Sequence, residues 1–177
     1  MIETERLILR NWRDGDVAPY YAMFQDLRVM AFLGKPQTLE AVRAEVTEAR
    51  EEINAKCYGF WAVECRADRQ FIGFCGVQSG PLGTPIAKRP EIGWRLAHAY
   101  WGQGLALEAA QATLAWAWAM LPDDSVWAIT VPANTRSWGL MERLGMTRQT
   151  ELDFDHPDVP FGSPLKRQIT YRIDRPV

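Results

Sequence analysis

The sequence predicts a single mixed-sheet α/β domain of the α+β kind, and three observations carry that prediction. Two-residue alternation of apolar and polar side chains recurs in several short runs, the signature of half-buried strands. Two longer stretches instead show helical spacing, or are rich in Ala, Leu and Trp over more than four turns. The strands cluster into hairpins in the first half and then join a strand–helix–strand unit, whereas a pure doubly wound sheet would alternate more strictly. At 177 residues with 47% hydrophobic side chains, the chain has the length and apolar content for one domain, residues 1–177, with its own core.

Taken in order, Glu5–Trp12 alternates around Leu7 and Leu9 and is expected to be the first strand. Asp14-Gly-Asp breaks it, and Pro19 opens a short helix ending near Asp26. Thr38 is a suitable N-cap for a helix whose apolar face is Leu39, Val42, Val46, Ala49 and Ile53. Tyr58–Glu64 and Gln70–Gln78 form a hairpin joined by Cys65-Arg-Ala-Asp-Arg, and Pro90–Ala97 adds another strand. Gly104–Met120 is a largely buried helix stopped by Leu121-Pro-Asp-Asp. Val126–Val131 is a short strand. Asn134 then caps a helix running to Leu144, with Gly145 placed as a terminating glycine. Strands at Met146–Phe154 and Pro164–Ile173 close the chain.

Composition narrows the functional classes. Twenty basic against 22 acidic side chains give a net charge of −2, without the basic excess of a dedicated nucleic-acid binder. Three cysteines (Cys57, Cys65, Cys75) with no C-x-x-C pair, and two histidines (His98, His156), argue against a disulfide framework and against a metal site. The first residues are acidic rather than basic-then-apolar, and no run approaches ~18 apolar residues, so a cytoplasmic protein without membrane association is expected. Most of the eight tryptophans are expected to pack in the core, with a few left to line a cleft.

The most informative stretch is Glu91-Ile-Gly-Trp-Arg-Leu-Ala-His-Ala-Tyr-Trp-Gly-Gln-Gly-Leu-Ala-Leu-Glu-Ala. A strand runs into a glycine turn that opens a long helix. The start of a helix leaves about four backbone N–H groups unpaired at the positive end of its dipole. Glycines at 102 and 104 let those amides curl around an anion, which makes a phosphate or pyrophosphate cradle; a plain tight turn is the simpler alternative. No G-x-x-x-x-G-K-[ST] is present, and Leu107 stands where a dinucleotide fingerprint has its third glycine.

Glu91–Ala110 followed by Asn134–Met146 resembles the GNAT superfamily of acyl-CoA-dependent N-acetyltransferases. Its [QR]-x-x-G-x-[GA] motif falls on Trp101-Gly-Gln-Gly-Leu-Ala, where Gly104 and Ala106 match and Trp101 replaces the usual Gln or Arg. Tyr-Trp-Gly-x-Gly-x-Ala, the opening Glu3-Thr-Glu-Arg-Leu-Ile-Leu-Arg, and Asn134-x-x-Ser-x-x-Leu-Met-Glu-Arg-Leu-Gly-Met resemble the RimJ/RimL-like branch of ribosomal-protein N-terminal acetyltransferases. The resemblance implies a GNAT fold: a mixed, mostly antiparallel sheet of about six to seven strands flanked by about four helices. It implies acetyl-CoA as co-substrate, bound where the fourth and fifth strands part, with no metal. Backbone groups of Trp94, Arg95 and Leu96 would pair with pantetheine. Trp101, Gly102, Gln103, Gly104, Leu105 and Ala106 would hold the pyrophosphate, and Asn134 would bond the pantetheine arm or simply cap its helix. Arg143 would approach the adenosine phosphate or lie on a solvated face.

The implied reaction is direct attack of a primary amine, from a protein N-terminus or a small molecule, on the thioester in a ternary complex. An ammonium cannot attack, so a base must take its proton. Glu91 on the fourth strand is the candidate, with an ion pair to Arg95 as the alternative. The superfamily's acid is often a tyrosine at the position held here by Met141, which has no transferable proton; Ser137 is the nearest substitute, or a first-turn serine bonded to backbone. His156 and Trp12 are candidate substrate contacts, with Phe32, Trp94 and Phe161 as further pocket walls. The rival reading is a non-catalytic acyl-CoA-binding or regulatory module, which Met141 favours. A nucleotide-binding protein using the same turn is a third. A monomer and a homodimer are both compatible with the sequence.

Overall fold

The computed structural model describes residues 1–176. The strands are β1 (Ile2–Glu3), β2 (Leu7–Arg10), β3 (Phe60–Cys65), β4 (Phe71–Ser79), β5 (Pro90–Leu96), β6 (Ser125–Thr130), β7 (Thr147–Arg148), β8 (Phe154–Asp155) and β9 (Arg167–Asp174). The helices are α1 (Val17–Gln25), α2 (Leu27–Met30), α3 (Leu39–Lys56), α4 (Leu105–Met120) and α5 (Thr135–Arg143). The sheet runs β1-β2-β3-β4-β5-β6-β9-β7, with β8 paired to β9 off that path. Every pairing is antiparallel except β5 with β6, which are joined through α4. The fold class is therefore the mixed, mostly antiparallel sheet that was expected, with more strands and one more helix than expected.

The additional strands have two residues each. The expected strand at Met146–Phe154 is instead β7, a 3-10 turn at Thr150–Leu152, and β8. Polar groups explain the break. Asp153 Oδ1 accepts the Thr170 amide at 3.0 Å, and the Thr170 hydroxyl donates to the Leu152 carbonyl at 2.8 Å, so side chains take bonds that a continuous ladder would make. The extra helix, α2, exists because Asp26 accepts the Arg28 amide at 2.9 Å and restarts the helix after α1.

α3 forms as its sequence dictates. Thr38 caps it by accepting the Ala41 amide at 3.2 Å, and Val42, Val46 and Ile53 are buried. Leu39 remains exposed and Ala49 is half-buried, so the apolar stripe covers the sheet along only part of its length. The alternation of β4 sorts the helices onto two faces. Cys75 turns toward α4, where its Sγ lies 3.5 Å from Thr113 Oγ1, whereas Phe74 turns toward α1 and packs edge-on against Tyr20. The result is three layers, with α4 on one face and α1 and α3 on the other.

Two polar clusters fix the ends. Arg10, buried at 6% exposure, bonds both Asp16 oxygens at 2.7 and 2.9 Å and Glu64 at 2.8 Å. This ties the turn after β2 to β3. The second cluster joins two motifs far apart in sequence. Glu108, in the first turn of α4, accepts the Thr4 hydroxyl at 2.5 Å, the Arg6 amide at 2.9 Å and Arg6 Nε at 2.6 Å. Arg6 Nη1 also donates to the Gln103 carbonyl at 2.9 Å. Because several charge-assisted bonds converge on one carboxylate, Glu108→Ala is expected to lower unfolding stability by about 2 kcal/mol, read as a lower urea midpoint at unchanged m-value.

Candidate functional site

The site begins with a defect in the sheet. β5 and β6 run parallel but share a single register pair, Glu91 with Trp127, and then part. Which backbone groups face the gap follows from the β4–β5 ladder. The Ala97 amide donates to Ile72 at 2.8 Å, and the register holds without a slip from Gly73–Leu96 to Ser79–Pro90. Strand groups alternate, so Arg95, Gly93 and Glu91 turn their amides and carbonyls to β4, whereas Trp94 and Leu96 turn theirs to the gap. Arg95 thus differs from the expected pantetheine contacts: its backbone is occupied by β4. The Leu96 carbonyl is also taken, by the Trp101 indole at 2.7 Å. Both backbone groups of Trp94 and the Leu96 amide are left without a strand opposite.

At the far end of the gap, Gly102 and Gly104 have φ of 73° and 77°, the left-handed region that costs a residue with Cβ about 1–2 kcal/mol. Gly104 is the N-cap of α4 and no side chain caps it; Glu108 is the first amide with a helical acceptor, the Gly104 carbonyl at 3.0 Å. The first-turn amides, including those of Leu105 and Ala106, are therefore open donors at the positive end of a 16-residue helix. Gln103 points away and donates to the Ala99 carbonyl at 2.9 Å. Trp101, pinned by its indole, carries the Arg136 guanidinium 5.1 Å above its ring.

Glu91 lies at the start of the gap and is 8% exposed. Burial pushes its carboxyl up to about 7, and a 3.4 Å bond from Gln78 Nε2 opposes the shift. The alternative ion pair with Arg95 does not form. Arg95 donates to the Tyr20 hydroxyl at 3.2 Å and sits within 6 Å of the Tyr20, Phe24 and Phe74 rings. Tyr20 in turn donates to Glu45 at 2.5 Å. These groups belong to a cleft of about 310 Å³ on the α1/α3 face, walled by Trp12, Phe60, Phe74 and Gln78 with Glu45, Glu48 and Glu52 along α3. Gln78 and Glu91 are cross-strand partners, so the cleft leads to the buried carboxyl.

The remaining expected residues divide. Trp12 lines the cleft, its indole fixed to the Phe60 carbonyl at 2.7 Å. Phe32, Trp94, Phe161 and His156 do not line it; Phe161 is 94% exposed, and His156 Nδ1 accepts the Asp158 amide at 3.3 Å within its own loop. Asn134 caps α5, accepting the Ser137 amide at 3.4 Å and donating to Thr130 Oγ1 at 3.1 Å. The Ser137 side chain is half-buried, and among the described residues its hydroxyl bonds to no other group. Met141 is buried in the core at 1% exposure. Three residues escape sequence reading. Gln78 was traceable through the hairpin register opposite Glu91, whereas Tyr20 and Arg136 reach the site only through tertiary packing. Among the described residues, no helix is long and apolar enough to cross a membrane, and no cluster of His, Cys, Asp and Glu stands ready to hold a metal ion.

Known proteins share this architecture. The acetyltransferase (GNAT) domain family matches residues 6–147. The uncharacterized protein YkkB of Bacillus subtilis strain 168 is 31% identical over 150 residues, 81% of this chain and 83% of its own. The crystal structure of a GNAT-family acetyltransferase from Bacillus anthracis superposes with a TM-score of 0.80 at 26% identity over 98% of both chains. RimL, a ribosomal L7/L12 α-N-protein acetyltransferase solved with coenzyme A, has the same fold at 15% identity and a TM-score of 0.76, over 97% of this chain and 95% of that one.

The glycine turn generates a direct test. No atom would meet a Cβ at Gly102 within 4 Å, so the cost of Gly102→Ala is backbone strain alone. Thermal or urea unfolding should show a loss of about 1 kcal/mol, and more for Gly102→Val.

Proposed function

This chain belongs to the GNAT acetyltransferase family, and from that premise we propose that it moves an acetyl group from acetyl-CoA to a primary amine by direct attack in a ternary complex. The observation that carries the reading is the Glu91–Trp127 divergence, because it joins a phosphate-type cradle to a buried carboxyl through one strand. Acetyl-CoA would supply the acetyl group as a thioester. Trp94 and the Leu96 amide would bond the pantetheine arm as a missing strand would, and Gly102–Ala106 would hold the pyrophosphate on open amides. Asn134 keeps one amide proton and one lone pair for that arm beyond its capping bonds.

Glu91 would take the proton of the attacking amine, directly or through water. A carboxyl raised to about 7 is a stronger base than an exposed one and is still half ionised near neutral pH. The free Ser137 hydroxyl would donate to the departing sulfur. The acceptor amine would enter by the cleft that Trp12 and Gln78 border. Among acceptors, the resemblance of its motifs to the RimJ/RimL-like branch favours a protein N-terminal amine, and the small acidic cleft also suits a small-molecule amine. A cytoplasmic setting suits the three free thiols. The alternative of a non-catalytic acyl-CoA-binding module keeps one observation in its favour, the buried Met141.

Thiol release from acetyl-CoA against a panel of amines and N-terminal peptides tests the reaction; binding without release from any of them would favour the module. Two variants test the roles. Activity should rise with pH through about 7 as Glu91 ionises, and Glu91→Gln should lose that limb and at least about 100-fold in kcat. Stability carries the opposite sign. Glu91 binds its proton more tightly folded than unfolded, so stability falls as pH rises between the ordinary carboxyl range and about 7. Glu91→Gln should therefore be more stable than the parent by about 3 kcal/mol at pH 8.5, with little difference at pH 4. Ser137→Ala should reduce kcat with little change in unfolding midpoint.

A further inference from the structure

β5 carries a second charged side chain on the face of Glu91, and acetyl transfer as described leaves it idle. Strand side chains alternate, so Glu91, Gly93 and Arg95 share one face, and Arg95 lines the cleft on the α1/α3 side. Burial of a guanidinium is costly unless its donors are met. Arg10 meets that condition through Asp16 and Glu64. Arg95 does not. It is half-buried, and of the five N–H groups of a guanidinium only one has a partner among the described residues, the Tyr20 hydroxyl at 3.2 Å. Its Nε is closed off from water and bonds to nothing. The Phe24, Phe74 and Tyr20 rings at 5.0, 5.2 and 5.9 Å offset part of the cost but accept no in-plane hydrogen bond. Glu45 does not answer the charge directly, because the Tyr20 hydroxyl stands between them, accepting from Arg95 and donating to Glu45. Glu52 is taken by Lys56. A cation with spare donors therefore borders the cleft that leads to the buried carboxyl.

The two charged groups are held apart. Each stays with its cross-strand partner, the Glu91 carboxyl at Gln78 and the Arg95 guanidinium beside the Phe74 ring. Four residues of strand put about 13 Å between these places. Hydrogen bonds of about 3 Å at either end leave about 7 Å for a ligand that joins them, which is about two residues of extended chain. We propose that Arg95 binds a carboxylate of the acceptor while the acceptor amine faces Glu91, so that the substrate is a peptide amine with a negative charge about two residues away. The proposal rests on the acetyl-transfer reading above and names the acceptor class within it. The carboxylate is either the C-terminus of a short peptide or an acidic side chain near the N-terminus of a longer one; both present the same planar anion to the guanidinium. A free α-amino acid is too short to reach both groups, and a polyamine brings a cation to a place that already holds one.

The experiment is thiol release from acetyl-CoA by the full chain with matched pairs of acceptors. Dipeptides and tripeptides are compared with a free or an amidated C-terminus. Longer, C-terminally amidated peptides are compared with Glu or Gln at the second or third residue, and spermidine is the cationic control. The parent should favour the carboxylate member of a pair about tenfold or more in kcat/KM, mainly through KM, and less so at high salt. A preference in the free-terminus pairs assigns a short peptide; one in the Glu/Gln pairs assigns a protein N-terminus. Arg95→Met keeps the contacts with the rings and should bring the ratio within pairs to about one, and Arg95→Lys should restore part of it. An arginine with a purely structural role would change both members of a pair alike. Equal kcat/KM for carboxylate and amide in the parent, a ratio that survives Arg95→Met, or spermidine as the preferred acceptor would each overturn the proposal. The comparison within the parent needs no variant, so it decides the matter even where Arg95→Met folds poorly. No thiol release with any acceptor would remove the transfer reaction and this proposal with it, whereas release on neutral or cationic amines alone overturns only the role of Arg95.

Discussion

The arrangement depends on two parallel strands that meet once. Had β5 and β6 stayed paired beyond Glu91 and Trp127, Trp94 and Leu96 would bond across the sheet and no gap would exist. The divergence leaves open backbone in the middle of an otherwise continuous sheet, and unpaired buried backbone is costly unless something else satisfies it. The protein meets that cost in part: the Trp101 indole takes the Leu96 carbonyl, and α4 starts at once beyond it. What stays open is a line of donors and acceptors running from a buried carboxyl to an uncapped helix. An extended ligand with a phosphate at one end matches that line.

Around this gap the two sheet faces do different work. The α4 face is closely filled by small side chains, with Ala109, Ala110, Thr113 and Ala117 fully buried, which lets the helix lie near the strands and fixes its start. The α1/α3 face is aromatic and incompletely covered. Trp12, Tyr20, Phe60 and Phe74 pack ring against ring, and Glu45, Glu48 and Glu52 of α3 run beside its apolar stripe along the cleft. One face thus fixes the start of α4 while the other leaves a cleft at Gln78, the cross-strand partner of Glu91.

The sequence was most readable where local chemistry decides structure. Thr38 and Asn134 cap the helices they were expected to cap, and Gly102 and Gly104 take the backbone conformation for which glycine was expected. It was least readable where tertiary bonds override propensity. Met146–Phe154 has strand character, yet Asp153 and Thr170 divide it. Asp26 restarts a helix of four residues, too short for any periodicity to reveal. In the site, Glu91 and its neighbours were visible because one strand and one turn carry them. The split between Arg95 and its neighbours was not, since it depends on which way the β4–β5 ladder alternates. Tyr20, Glu45 and Arg136 come from elements whose meeting no local pattern encodes.

The carboxylate of Glu108 has a consequence for the order in which the molecule is made. Its partner Thr4 lies 104 residues earlier, so this bond waits for α4 even though β1 already pairs with β2 nearby. Contacts so distant along the chain form late, after the cost of closing the intervening loop has been met by hairpins such as β3–β4. The β1 end of the sheet and the start of α4 are therefore completed together, near the end of folding. A nascent or truncated chain that lacks α4 would hold its β1–β2 hairpin without this anchor, with the β1 edge freer to meet other chains.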